Sequence, residues 1–426
     1  MQELKETSLT VAIVGLGNRG LDTYGKHLAE KEHVKISAVA DPKRDRQALA
    51  AKLLNLWDDQ IFCDAEALLQ NTRLADLLII ATPDRQHVDQ AVKALDLGYH
   101  LLMEKPISPD PAEVERLLKK AKETKRHVFI CHVLRYTPFY NELKRLIDAG
   151  EIGEIKAIDA NESVGYFHYA HSFVRGNWRN SSETSPMILQ KCCHDFDIFC
   201  WLSGKKPVQV SSFGSQTYFI REHQPEGATD YCLAGCEAKN SCVFDAEKIY
   251  LTNQRTGLLA GNTRWPVDVV VSEPNETRLR EALSDGPYGR CVFRSDNDVV
   301  DQQVVNMEFT DQMTVSFMMS AFTDQVSRHI HVMGTKGDII GDFAAQKLVL
   351  RRFGKTPQEI DVTALASDLS GHGGGDAAML EEIIDYLLQK EMTSARLTTL
   401  ERSVDSHRIA FAAEKSRQSD GLVVTI

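Results

Sequence analysis

The stretch Val11-Ala12-Ile13-Val14-Gly15-Leu16-Gly17-Asn18-Arg19-Gly20 constrains this chain more than any other. Four apolar residues, three of them β-branched, predict a buried strand that opens onto glycines at 15, 17 and 20. Each glycine has its own task. Gly15 permits a tight turn, Gly17 lets the backbone approach a pyrophosphate without a Cβ in the way, and Gly20 lets the next helix pack on the strand. The helix expected over Leu21–Lys31 would point its free N–H groups at the phosphates, with Asn18 and Arg19 in the same turn. A second apolar run, Val34–Ala40, ends on Asp41, about 20 residues past the loop, where a carboxylate can hold ribose hydroxyls. This predicts a nicotinamide dinucleotide site. Asp41 would repel a 2′-phosphate and so favours NAD, while Lys43 and Arg44 leave NADP open.

At 426 residues the chain exceeds what one core usually supports, so two domains are expected. The formal net charge of -11 and the lack of a long basic run argue against nucleic acid as a partner. The opening Met1-Gln2-Glu3-Leu4-Lys5-Glu6-Thr7 has no apolar signal core, and no later run suits a membrane span, which makes cytoplasm the expected compartment. Nine cysteines, an odd number, fit reduced thiols there better than a disulfide framework.

Up to about residue 132, short apolar strands alternate with helical stretches: Ile61–Cys63, Asp76–Ala81, His100–Met103 and Val128–Cys131. Such alternation predicts an α/β Rossmann domain over 8–133, a parallel sheet with helices on both faces. Thr82-Pro83-Asp84 with His87, Glu104-Lys105-Pro106, and His132 with Arg135 would then sit at the carboxyl ends of strands, where such sheets bind ligands. Beyond Arg135 the period changes. A helix over Tyr140–Ala149, a strand in Gly153–Ile158, and a hairpin of Val305, Met307, Phe309 with Met313, Val315, Phe317 predict an α+β domain over 134–426. Its sheet is open and largely antiparallel. An amphipathic helix carries Leu380, Ile383, Ile384, Leu387 and Leu388, and a last helix covers Leu400–Glu414.

Glu104-Lys105-Pro106, about 85 residues past the glycine loop, resembles the signature of the Gfo/Idh/MocA family, named for glucose-fructose oxidoreductase and inositol dehydrogenase. The resemblance covers nearly the whole chain: Thr82-Pro83 with His87, Gly153-Glu154-Ile155, Trp178-Arg179, and His194-Asp195 before Trp201-Leu202. It implies NAD or NADP in the first domain and, on the second, an open sheet that covers a small-molecule carbohydrate and often pairs subunits. A homo-oligomer, dimer or tetramer, is expected on that ground.

Hydride transfer from a carbinol carbon needs a base for the hydroxyl proton and a donor or cation for the oxygen. Lys105 suits the second role, as the matching family lysine does, with Glu104 placed to orient it. His194 suits the first. The common family pattern has an aspartate four residues before this histidine, but here the position is Gln190, which exchanges no proton. Lys191, three residues before His194, would add positive charge and favour the neutral imidazole. The resemblance also puts Trp178 and Arg179 beside the cofactor. In the aromatic segment before them, Tyr166 and His168 suit a sugar ring and Arg175 a carboxylate. Arg135, Asp195 and His372, the last in the glycine-rich run before Asp376, complete the expected substrate contacts; Asp376 itself reads as a helix N-cap.

Cys232, Cys236 and Cys242 could supply zinc ligands, but their spacing is not that of a structural CxxC pair, and reduced thiols with no metal are the expectation. Two other activities stay open on the same resemblance: a glycosidase that oxidises and re-reduces its substrate with no net change in NAD, and a non-catalytic sensor of NAD and sugar.

Overall fold

The apolar runs of the first third pair into six parallel strands: β1 (Leu9–Val14), β2 (Val34–Ala40), β3 (Ile61–Phe62), β4 (Leu77–Ile80), β5 (His100–Met103) and β6 (Val128–Ile130). The computed structural model describes residues 8–366, 369–388 and 394–426, so the opening Met1–Thr7 lies outside the described residues. The strand order is β3-β2-β1-β4-β5-β6. Order reverses between β1 and β4, and a cleft opens there between the loops that follow them. Alternate β1 residues serve opposite faces: Val11 and Ile13 join one core, Ala12 and Val14 the other. The helix expected from Leu21 begins earlier, as a wide turn over Asn18–Gly25 that continues as Lys26–Ala29.

The second sheet has nine strands: β7 (Ile155–Ser163), β8 (Pro207–Ser215), β9 (Gln302–Phe309), β10 (Thr314–Ser320), β11 (Ser327–Gly334), β12 (Gly337–Asp342), β13 (Lys347–Arg352), β14 (Gln358–Asp361) and β15 (Val424–Thr425). Their order is β14-β13-β12-β11-β7-β10-β9-β8-β15, antiparallel except where β10 runs parallel to β7. The expected hairpin is β9–β10, closed by a turn in which Asp311 takes a left-handed φ of 59°. Inward residues of this sheet pack on helix α1 (Met187–Ser203), which is buried on nearly every side.

The chain then returns to the first sheet. Helix α2 (Gly375–Leu387) sets Met379, Leu380, Ile383 and Ile384 against the Val11–Ile13 face, and Leu400 and Val404 of helix α3 (Leu400–Arg417) join the opposite face. Residues after 374, grouped on sequence with the second domain, therefore bind the two sheets together. The inter-sheet cleft is framed by the loops after β4, β5 and β6 on one side and by α1 on the other.

Candidate functional site

At the glycine turn, Gly15 has a φ of +85°, and a Cβ there would stand 2.4 Å from the Ala81 carbonyl oxygen; a Cβ on Gly20 would stand 1.9 Å from the Gly15 oxygen. Neither position admits a side chain. Gly17 has nothing within 4 Å of a Cβ and, like Asn18, faces solvent. That open backbone at a helix start is the shape that admits a pyrophosphate. Asp41, at the end of β2, is buried, accepting the Leu16 amide (2.7 Å) and the Lys43 amide (2.8 Å), one on each carboxylate oxygen. Each oxygen keeps a lone pair for ribose hydroxyls.

Arg19 does not face the phosphates. Its guanidinium turns inward, donating to Glu104 Oε1 (2.7 Å) and Asp376 Oδ1 (2.6 Å) and lying over the Tyr24 ring. Burial pushes the Glu104 carboxyl up, but Arg19 and Lys105 more than offset this, so it titrates below the usual range. Two expectations change. Glu104 does not orient the Lys105 ammonium, because its second oxygen accepts the Lys105 backbone amide (3.1 Å). Asp376 is no N-cap; Gly374 holds that place, and the Asp376 carboxylate bonds Arg19 and His372 Nδ1 (2.9 Å).

Lys105 leaves its loop in the other direction. Its Nζ donates to the backbone oxygen of Gln190 (2.8 Å), across the cleft on α1. The Lys105–Pro106 bond is cis, and the Ile107 amide donates to Nε2 of the buried His407 on α3 (2.8 Å). His87, expected at the cofactor, instead clasps this loop: its ring nitrogens face the Pro106 oxygen (2.9 Å) and the Thr82 oxygen (2.7 Å), leaving none free. Thr82 donates its hydroxyl to Gln90, and Pro83 precedes the buried Asp84, which accepts the Ser185 hydroxyl.

On α1, His194 faces Lys105. Its ring centre lies 5.5 Å from that of His132 and 6.4 Å from that of His372, and its Nδ1 is buried without a partner. Burial first, then Lys105 and His132, push its pKa well below the usual value, so the imidazole is neutral at neutral pH. Lys191 is not among the main causes. It forms an ion pair with Glu162 Oε1 (3.3 Å) on β7, and its own pKa falls, mainly by burial. Arg328 on β11 completes the group, donating to Asp195 Oδ1 (2.8 Å) and forming an ion pair with Glu162 Oε2 (2.8 Å). Burial lifts Asp195 to about 6 despite Arg328. Gln190 Oε1, Asp195 Oδ2, His132 Nδ1 and His168 Nδ1 are also buried with no hydrogen-bond partner.

Several expected contacts lie elsewhere. Arg135, below His132, is fully buried and locked onto Asp197 through two bonds of 2.5 and 2.6 Å, so it cannot reach a substrate. Arg175 donates to the carbonyl oxygens of Arg290 (2.7 Å) and Phe244 (2.7 Å), away from the cleft. The Tyr166 hydroxyl accepts from Asn253 (3.0 Å). Arg179 is taken by Asp296 (2.8 Å), while Trp178 remains partly exposed on Phe173. Their loop nevertheless touches the first domain, where Arg85 donates to the Ser181 oxygen (3.1 Å). His168 stays beside the cluster: burial first, then Lys191 and His171, lower its pKa. His372, at a φ of 47°, stands at its edge.

Glu162 and Arg328 were not expected from the sequence. A signal existed: Glu162 shares the inward parity of Ile158 and Ala160, Arg328 that of Ile330 and Val332, and the two stand opposite each other across β7–β11. A charge on the buried face of a strand asks for a partner.

Two family models match the chain. One, described as an oxidoreductase family with an NAD-binding Rossmann fold, covers residues 9–132; the other, the family's C-terminal alpha/beta domain, covers residues 144–257. The chain is 23% identical over 397 residues to oxidoreductase YteT of Bacillus subtilis, covering 88% of each chain. It is 29% identical over 244 residues to inositol 2-dehydrogenase of Corynebacterium glutamicum, covering 56% of this chain and 66% of that enzyme. Its fold matches that of scyllo-inositol dehydrogenase from Lactobacillus casei, solved with NAD(H) and scyllo-inositol, with a TM-score of 0.64, 18% identity, and 98% and 99% of the two chains covered. Among the described residues, no helix is long and apolar enough to cross a membrane.

Proposed function

The chain belongs to the Gfo/Idh/MocA oxidoreductase family, and from that premise we propose that it oxidises a ring hydroxyl of an inositol or sugar, with Lys105 and His194 as the catalytic pair. The observation that carries this is the meeting of Lys105, held at 2.8 Å on the Gln190 oxygen, with a neutral His194 whose Nδ1 lacks a partner. The inositol dehydrogenase relatives support the substrate class.

NAD supplies the hydride acceptor. His194 takes the hydroxyl proton, which its depressed pKa permits over the whole neutral range. Lys105 donates to the oxygen as negative charge grows there, a contribution typically worth ~10²–10³ in rate per donor. Glu104, held by Arg19, fixes the Lys105 backbone rather than its ammonium, and His87 and His407 fix the rest of its loop. The unpartnered Gln190 Oε1, Asp195 Oδ2 and His168 Nδ1 suit several hydroxyls of one ring, which fits a polyol better than an isolated alcohol. Asp41, held by two amides at the end of β2, would repel a 2′-phosphate, which supports NAD over NADP.

The test incubates the protein with NAD⁺ or NADP⁺ and a panel of inositols, sugars, sugar acids and aryl glycosides, following reduced nicotinamide and released aglycone together. NADH formed with an inositol or free sugar is the expected result. Aglycone release without net NADH would replace this reading with the redox-neutral glycosidase, and nucleotide binding without turnover would replace it with a sensor.

A further inference from the structure

The loops between β8 and β9 bring four cysteines to one place, three of them close in sequence and Cys291 well beyond them. An isolated bridge between Tyr231 and Arg290 sets Cys232 beside Cys291: the Cys232 amide donates to the Gly289 oxygen (2.9 Å), and the Cys291 amide to the Asp230 oxygen (2.8 Å). The turn Glu237–Asn240 folds Cys236 and Cys242 towards them. All four, with Arg175 and Asp245, line a single cavity of about 10 Å³, room for one water-sized body.

One feature of the cavity wall calls for an anion. Arg175 is 2% exposed, yet its partners are two carbonyls and the Cys232 thiol (3.6 Å), and its Nη1 has none. Among the described residues Arg175 forms no ion pair, although the buried Asp245 shares its cavity, and an unpaired buried cation is costly. A tetrathiolate metal centre would supply that anion.

We propose that Cys232, Cys236, Cys242 and Cys291 bind one zinc ion. Four thiols release four protons to solvent, four Zn–S bonds form, the ion sheds its waters, and no electron moves. The centre then carries two negative charges, one of which Arg175 neutralises. Tetrahedral sulfur sets select zinc or iron–sulfur clusters, and room for one small body excludes a multi-iron cluster. Among the described residues, no group of three or more side chains already stands at coordination spacing, so the thiols must rotate inward to close on the ion. Arg175 ends the segment that carries His168, so the metal would brace that wall of the cleft.

The full-length protein, purified without chelator in reducing buffer, is analysed for metal by plasma mass spectrometry and for thiols by titration with an aromatic disulfide. About one zinc per chain is expected, with four thiols protected until a chelator removes it. Refilling the chelated protein with Co²⁺ should give sulfur-to-cobalt charge transfer and intense tetrahedral bands. Cys236→Ser and Cys291→Ser should each lower zinc content at least tenfold while nucleotide still binds; should either fail to fold, the wild-type cobalt spectrum decides alone. Metal below about 0.1 per chain with no cobalt spectrum, bound iron in place of zinc, or a disulfide among the four in reduced protein would each overturn the proposal.

Discussion

Replacing Lys105 by Met keeps the length of the stem and removes only the ammonium. Its partner, the Gln190 oxygen, lies inside α1, where the helix provides its own amide donor, so the loss leaves no orphaned carbonyl. Stability should change by less than about 1 kcal/mol. Catalysis should change far more. Loss of one donor to the developing alkoxide corresponds to ~3–4 kcal/mol, a fall of roughly 10²–10³ in kcat. A second effect follows from the same charge. Lys105 is the strongest of the charges that depress His194, after burial, so the acid limb of the kcat profile should move upward in K105M. Stopped-flow NADH absorbance with ring-deuterated inositol gives kcat and the isotope effect across pH, and thermal unfolding gives stability. A kcat within threefold of wild type, an unmoved acid limb, or a Tm that falls in step with activity would refute the assignment.

Gln190→Asp puts a carboxylate near Lys105 and His194 and should raise the acid limb by one unit or more, read from the kcat–pH profile. Arg135→Met strands the buried Asp197 and should cost about 3–5 kcal/mol in urea unfolding; adding Asp197→Leu should recover most of it with KM unchanged. Stability should also fall as pH drops below 6.5. Burial holds His171 and His407 down to about 3, so the unfolded chain binds more protons between about 3 and 6.5, and each ring contributes a few kcal/mol that is complete only above the upper value. His407→Phe should flatten part of that slope in urea titrations at pH 4.5 and 7.

The fold was legible where sequence period and glycine placement spoke directly. Six strands came from apolar runs, and the hairpin from period-two alternation over Val305–Phe317. That Lys105 and His194 meet across one cleft was legible because motif spacing places them at its two sides. Side-chain partners were not. Arg19, Arg135, Arg175 and Arg179 all read as ligand contacts, since a lone arginine near a motif carries no sign of its partners; the carboxylates Asp376, Asp197 and Asp296 that hold three of them, and the Phe244 and Arg290 carbonyls that hold Arg175, lie tens or hundreds of residues away. The same separation hid Cys291 from its three companions.

Gln190 is the departure that most shapes this site. With an aspartate there, a negative charge would pull the histidine pKa up; without it, burial and the Lys105 ammonium act unopposed on His194. The remaining carboxylates do not take its place. Glu162 is spent on Lys191 and Arg328, and Asp195, lifted to about 6, is close to the pH at which it loses its charge. On His194 itself the neighbours that weigh most, Lys105, His132, Arg328 and His372, all act against a protonated ring. For the proposed reaction this arrangement suits a neutral base at His194 and puts no carboxylate at position 190 to relay its proton onward.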